Sequence, residues 1–187
     1  MKFELKTILI TAISRFWVLY FKLKYGRRVV FGSRVIINHR FQLRGRGRLN
    51  IGSGVKIWAH EEPNRFFFYS KKARITIAEN SKLNGLTCHC EREIKINKAC
   101  LIASAVIMDT DLHQFENSKH ILAGKQKTKP VEIGKRVWLA GQSVILKGVK
   151  VNNDSVVGFR AVVTKDIPKK SLAVGNPAKI KLKSNKV

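Results

Sequence analysis

The chain has 187 residues, of which 44% are hydrophobic, and this size and composition suit one globular domain with a small appendage. Its 37 Lys and Arg outnumber its 12 Asp and Glu, so the formal net charge is +25 and the surface attracts anionic ligands, membranes or polymers. The basic residues are spread along the chain without a homeodomain, zinc-finger or RNA-binding motif, which disfavours nucleic acid as the partner.

Residues 1–28 form an apolar and basic segment. Two apolar runs, 7–14 and 16–21, are followed by four basic residues: Lys22, Lys24, Arg27 and Arg28. The segment is too short and too interrupted to predict a membrane span, and no small-residue cleavage site follows it. As a helix it has one broad apolar face and a second face that is partly apolar. Two interpretations stay open: the helix caps the end of the next domain, or it rests on an anionic membrane.

From Val29 to Met108 the chain contains short aliphatic runs, of which 49–57 is the clearest. An aromatic run at 66–69 predicts packing in a seam of the core or at a subunit interface. In an extended strand Cys88 and Cys90 point to one side and His89 to the other. Their spacing is too tight for the usual metal-binding pair, so we expect free, buried thiols and no metal.

The pattern stops after Met108 and resumes at Val131, which predicts that residues 109–130 leave the domain as a loop. Long excursions from a rigid scaffold are often functional. The residues of this loop that could take part in chemistry include Asp109, Asp111, His113 and His120, and the loop ends in a basic run.

Residues 130–163 repeat with a strict period of six. The aliphatic positions are Ile133, Leu139, Ile145, Val151, Val157 and Val163. Neither a helix nor a strand has this period, whereas a solenoid whose coils have flat faces of six residues does. Three such faces close a triangular prism with the aliphatic side chains stacked inside. Gly and Asn next to these positions, such as Gly134 and Asn152, are expected to supply backbone freedom at the corners.

Three stretches within this half, 131–140, 156–168 and 175–179, resemble the hexapeptide-repeat acyltransferases. The likeness is greatest to maltose/galactoside-type sugar O-acetyltransferases and to those of surface-polysaccharide synthesis, and it extends over about residues 31–180. It implies a mainly β fold, a left-handed parallel β-helix over residues 29–180 with a basic tail at 181–187. It also implies a homotrimer that uses acetyl-CoA.

The same resemblance suggests site residues. His113 corresponds to the general base, with Asp109, Asp111 or a backbone carbonyl orienting its ring, and His120 is the competing candidate. Positions that correspond to acetyl-CoA contacts are Trp138, Gly141, Phe159, Thr164, Lys165 and Lys179. Phe159-Arg160-Ala161 departs from the usual Ala-Gly-Ser, and the phenylalanine is expected to crowd or reshape the cofactor groove. The other histidines, His39, His60 and His89, are expected to be structural.

The sequence therefore predicts an acetyl-CoA-dependent O-acetyltransferase that modifies a sugar hydroxyl in surface-polysaccharide or lipopolysaccharide synthesis. Transfer is expected to be direct, without a covalent enzyme intermediate, because no Cys or Ser lies beside a base in a context typical of a nucleophile. Three alternatives remain: an amino-sugar N-acetyltransferase, a zinc hydratase that would need three convergent histidines, and a non-catalytic basic β-helix that binds membrane or polyanion. The expected location is cytoplasmic, with peripheral contact at the inner face of the cell membrane through residues 1–28.

Overall fold

A computed structural model describes residues 2–112 and 127–183. Helix α1 (Lys2–Tyr25) and a 3-10 turn (Gly26–Arg28) are followed by short strands that build three sheets. The first sheet contains β1 (Val29–Phe31), β4 (Arg48–Ile51), β7 (Arg74–Ile77), β10 (Glu93–Ile96), β13 (Val131–Ile133) and β16 (Lys150–Val151). The second contains β2 (Ile36–Ile37), β5 (Lys56–Ile57), β8 (Lys82–Asn84), β11 (Leu101–Ala103), β14 (Trp138–Leu139), β17 (Val156–Val157), β19 (Ser171–Val174) and β20 (Lys179–Lys183). The third contains β3 (Phe41–Gly45), β6 (Asn64–Phe68), β9 (Thr87–Cys90), β12 (Val106–Met108), β15 (Val144–Ile145) and β18 (Val162–Val163).

Successive strands up to β18 lie in successive sheets, so the chain winds as a parallel coil of about seven turns. In its C-terminal half each strand pairs in parallel with the strand one coil later, as Trp138 does with Val156 and Val144 with Val162. These partners are 18 residues apart, which is three faces of six. All six periodic aliphatic side chains, from Ile133 to Val163, are fully buried. The predicted hexapeptide β-helix is therefore confirmed.

The N-terminal coils are larger and less regular. Leu49 pairs with Ile75 on the next coil, and these partners are more than 18 residues apart because the coil between them includes the five-residue strand β6. Phe66 and Phe68 face the core, and the Phe66 ring centroid lies 5.5 Å from that of Phe41. The aromatic run thus fills a wider part of the core and does not interrupt the coil, as the core-seam interpretation predicted.

The corners differ from the prediction. Gly134 keeps an ordinary backbone conformation, and the left-handed residue of this corner is Arg136, with φ of 54°. Gly134 is instead required by space, because a Cβ there would lie 2.7 Å from the backbone nitrogen of Asn153 on the next coil. The expectation that this glycine supplies backbone freedom was wrong. Arg136 is stabilised by its counterpart one coil later, since its Nε donates to Asp154 Oδ1 at 2.6 Å. This guanidinium lowers the pKa of the Asp154 carboxyl.

Helix α1 covers the first coil. Phe21 is 2% exposed, and its ring centroid lies 4.8 Å from that of Phe41. The Ser14 hydroxyl donates to the Ile10 carbonyl and accepts the Ile37 backbone N–H at 3.2 Å. A core position on the helix therefore also satisfies a backbone group of β2, the edge strand of the second sheet. Within the described residues, neither α1 nor any other helix is long and apolar enough to cross a membrane.

The three cysteines are free and buried, and His89 is partly exposed between Cys88 and Cys90, which confirms the predicted alternation. Burial raises the pKa of the Cys88 and Cys90 thiols, and the nearby Asp109 carboxylate raises these two pKa values further. They therefore remain protonated near neutral pH.

Asp109 holds the corner between β9 and β10. Its side chain is fully buried, and its two carboxylate oxygens accept the backbone N–H groups of Glu91, Arg92 and Glu93, each at 2.7 Å. Cys90 Sγ lies 3.6 Å from the same carboxylate. One side chain thus provides the acceptors that a sharp corner cannot obtain from a neighbouring strand.

We expect Asp109→Ala to lower the free energy of unfolding by roughly 2–4 kcal/mol, because it leaves three backbone donors without their charged acceptor. Asp111→Ala removes the same charge from an exposed pair with Lys147 and should cost less than about 1 kcal/mol. Urea titrations of both variants would measure the two costs. Equal losses would show that Asp109 does not support the corner.

Candidate active site

Three of the predicted cofactor residues lie close together at one corner of the prism. Trp138 is on the outer side of β14, and Gly141 and Phe159 follow β14 and β17 at the corner between the second and third sheets. Gly141 and Phe159 are 18 residues apart and therefore stack on successive coils, with the Arg160 N–H donating to the Gly141 carbonyl at 3.0 Å. Trp138 is 47% exposed and Phe159 is 61% exposed, so this corner offers two large apolar surfaces to a ligand.

The Phe159 ring rests against Gly141. A Cβ at position 141 would lie 3.2 Å from two ring carbons of Phe159. The Arg160 guanidinium lies 5.1 Å from the ring centroid, and its Nε donates to Gln142 Oε1 at 2.6 Å. The phenylalanine that departs from the family pattern is thus a surface feature of this corner, where it narrows the space beside Gly141.

The other predicted cofactor residues lie elsewhere. Thr164 and Lys165 follow β18 and are exposed at the corner where the third-sheet strands end. Lys179 begins β20, where it pairs with Val174 on the second sheet. The six residues therefore do not converge on a single cleft within one chain.

The two ends of the predicted loop meet at the same corner of the prism as Thr164 and Lys165. Asp109 follows β12, its carbonyl accepts the Lys129 N–H at 2.9 Å, and Thr110 bridges to Thr128. Asp111 forms an ion pair with Lys147, which follows β15 on the next coil. His113 and His120 lie outside the described residues. Asp109 and Asp111 thus flank the point where the loop leaves the prism, although the Asp109 carboxylate is already bonded to three backbone donors.

A groove of about 400 Å³ crosses the outer side of the second sheet and was not predicted from the sequence. Trp58 and Trp138 stand at its two ends, with Leu101 and Asn84 between them. Its lysines, Lys56 and Lys82, are exactly paired neighbours on β5 and β8, and neither makes an ion pair with the described residues. Like charges directly opposite on adjacent strands repel each other, so an anion between them would be stabilised. The sequence does contain basic residues at outward strand positions. Because the repeat in these coils is irregular, it does not indicate which of them are paired on adjacent strands.

A second cluster lies on the outer side of the third sheet. The Tyr69 hydroxyl lies 2.7 Å from His89 Nδ1, and the rings of Phe67 and His89 stack with centroids 4.9 Å apart. Burial lowers the pKa of His89. These contacts suit the structural role expected for His89. Within residues 2–112 and 127–183, no three His, Cys, Asp or Glu side chains gather as a metal-binding group.

No protein-family model matches the chain. The galactoside O-acetyltransferase of Escherichia coli K12 is 31% identical over 128 residues, which are 68% of this chain and 61% of that enzyme. The chain spans from 32% to 61% of the length of the curated relatives it matches.

Solved structures share the fold at low sequence identity. AntD, an N-acyltransferase from Bacillus cereus solved with dTDP and 3-hydroxybutyryl-CoA, has a TM-score of 0.70 at 18% identity, over 88% of this chain and 86% of that one. A hexapeptide-repeat acetyltransferase of Vibrio cholerae, solved with acetyl-CoA, has a TM-score of 0.53 at 22% identity, over 83% of this chain and 70% of that one. The six-residue period, the three-sheet prism and these relatives together show that the chain belongs to the hexapeptide-repeat acetyltransferase family.

Proposed function

We propose that the chain is an acetyl-CoA-dependent O-acetyltransferase that modifies a sugar hydroxyl in the synthesis of surface polysaccharide or lipopolysaccharide. The observation that carries this proposal is the corner where Trp138 and Gly141 on one coil lie next to Phe159 on the following coil. An extended pantetheine arm could follow such a corner, with the two aromatic side chains supplying apolar contact. The Escherichia coli relative, whose name states galactoside O-acetylation, supports the sugar acceptor.

In the proposed reaction, His113 takes the proton from the acceptor hydroxyl as its oxygen attacks the thioester carbonyl. The acetyl group moves to that oxygen, the carbon–sulfur bond breaks, and the leaving CoA sulfur takes the proton from His113, which restores the neutral imidazole. We assign the orientation of the imidazole to Asp111 and not to Asp109, because three backbone donors occupy the Asp109 carboxylate, whereas Asp111 forms an exposed ion pair with Lys147. The buried, protonated Cys88 and Cys90 support direct transfer without an acyl-enzyme.

We further propose that each site is shared between neighbouring subunits of a homotrimer. Gly141 and Phe159 lie at the corner where the third-sheet strands begin. Thr164, Lys165 and the loop ends lie at the corner where these strands end. Within one prism these two corners point in different directions. Two neighbouring prisms bring them together if the first corner of one faces the second corner of the other, and a closed ring of three gives three equal sites.

The groove on the second sheet is the proposed acceptor site. Trp58 and Trp138 offer flat apolar surfaces for sugar rings, and Trp138 also borders the cofactor corner. Lys56 and Lys82 favour an acceptor that carries a negative group, such as a phosphate or carboxylate. An amine in place of the hydroxyl would suit the same groove, and the N-acyltransferase fold neighbour supports that alternative.

We propose, in addition, peripheral contact with an anionic membrane through residues 1–28, at the inner face of the cell membrane. The outer side of α1 exposes seven large apolar side chains: Ile8, Leu9, Ile13, Phe16, Leu19, Tyr20 and Leu23. Arg15 and Lys22 lie along one flank of this surface and Lys24 along the other. Residues 1–60 contain 13 Lys and Arg but only one acid, Glu4. Apolar side chains flanked by cations are typical of helices that lie in an anionic interface.

His113→Ala should lower kcat by at least about 100-fold, because the variant loses the general base. Release of CoA with galactosides that carry a free hydroxyl or an amine at the same carbon would measure the rate and identify the acceptor. His60→Ala changes an exposed imidazole outside the proposed site and serves as the control. Unchanged turnover in His113→Ala, with an active wild type, would eliminate this base.

Lys165→Ala with Lys179→Ala should raise the KM for acetyl-CoA about tenfold, equivalent to ~1.4 kcal/mol, because the two cations are proposed to contact its phosphates. The KM for acetylpantetheine, which lacks those phosphates, should not change. Lys135→Ala removes an exposed lysine at a different corner and should affect neither. A parallel rise in KM for both donors would contradict the phosphate assignment.

Phe16→Glu with Leu23→Glu should reduce flotation with phosphatidylglycerol vesicles at least about tenfold, because both charges enter the proposed lipid contact. Val30→Glu with Tyr69→Glu adds the same charge at exposed positions on the sheets and should retain flotation. Absence of wild-type binding to anionic vesicles would disprove the membrane contact.

A further inference from the structure

A groove that the proposed reaction does not use lies between α1 and the first coil. It has a volume of about 460 Å³ and is lined by three cations and mostly apolar walls. Arg15 and Lys22 come from the helix, and Arg34 comes from the corner between β1 and β2. Val18, Leu19 and Ile36 form much of the apolar surface.

The three cations meet without a counterion. No acidic side chain lines the cavity, and none of the three makes an ion pair with any described residue. Arg15 and Lys22 are two helical turns apart and lie on the same side of α1, where Arg34 faces them from the coil. Like charges on two rigid elements around one cavity repel each other, and an anion held between them would remove that repulsion.

The apolar surroundings limit what kind of anion fits. Leu19 lines the cavity and is also 59% exposed, so the cavity opens onto the apolar outer side of the helix. Leu23, 78% exposed, lies one turn further along that side. A small inorganic ion would use the cations but leave this surface in water. An amphiphile with an anionic head and an apolar chain would use both.

We propose that this cavity is a specific site for a phosphate-bearing lipid. Arg15, Lys22 and Arg34 bind the phosphate oxygens, with the guanidinium groups able to donate two parallel hydrogen bonds each. The acyl chain lies along Leu19 and Leu23. The site deepens the proposed membrane contact, since it adds recognition of one head group to a general attraction between a basic helix and an anionic surface. It does not depend on acetyl transfer.

Calorimetric titration with dihexanoyl phosphatidic acid, below the concentration at which it forms aggregates, tests the site without a bilayer. The full-length wild type should bind this lipid at least tenfold more tightly than inorganic phosphate or dihexanoyl phosphatidylcholine. Arg15→Gln/Lys22→Gln/Arg34→Asn should weaken binding at least tenfold. Asparagine is used at position 34 because this residue has φ of 55°, a conformation that asparagine tolerates.

The control variant, Lys71→Gln/Lys72→Gln/Lys135→Gln, removes three exposed charges away from the cavity and should bind within twofold of the wild type. An equal loss in the control would show diffuse attraction and overturn the site. Equal binding of inorganic phosphate would overturn the lipid assignment. Equal binding of phosphatidylcholine, which carries a phosphate but no net charge, would overturn the requirement for a negatively charged head group. Arg34→Asn alone, which leaves α1 unchanged, should weaken binding at least threefold, and it answers the question if the triple variant unfolds. The vesicle flotation assay tests the general membrane contact separately. If only that contact is wrong, the protein does not float with vesicles but still binds the soluble lipid.

Discussion

Stacked aliphatic side chains inside a triangular prism determine where every other residue of this chain can lie. Each inward residue, such as Leu139, contacts its equivalents on the coils before and after it, and all of them are removed from water. Burial of such columns stabilises the fold at about 25 cal/mol per Å² of apolar surface. Because the inward positions are fixed by the column, the outward and corner positions are fixed as well. Within the described coils, the side chains that can meet a ligand are therefore those on the outer faces and at the corners.

The strict part of this column could be predicted from sequence alone. From Ile133 to Val163 the period has no insertion, so fold, register and buried residues follow directly. The N-terminal coils could not be predicted at the same detail, because an enlarged strand such as β6 changes the coil length without changing the inward packing. The corners were also difficult: Gly134 suggested backbone freedom, whereas the left-handed position belongs to Arg136, which an adjacent coil stabilises through Asp154.

The sequence could suggest candidate site residues but not how they are arranged. Trp138, Gly141 and Phe159 share one corner of the prism. The separation of Thr164 and Lys165 from them depends on which corner each coil position occupies, and the resemblance that suggested these residues carries no such geometry. The groove between Trp58 and Trp138 was missed because its residues come from coils with an irregular period. Asp109 illustrates a different limit, since a carboxylate beside a candidate base can be fully engaged in holding a turn.

The two ends of the prism have a consequence for how copies of this protein meet. A parallel solenoid ends in strands with unpaired backbone groups, which can template the coil of another molecule. At the first coil, the Ser14 hydroxyl occupies the N–H of Ile37 and α1 covers the exposed core. At the last coil, β20 runs antiparallel to β19 and reverses the chain direction at that edge. The first end of the column is therefore covered by a helix, and at the other end the last strand of the second sheet no longer matches the parallel direction that another coil would continue.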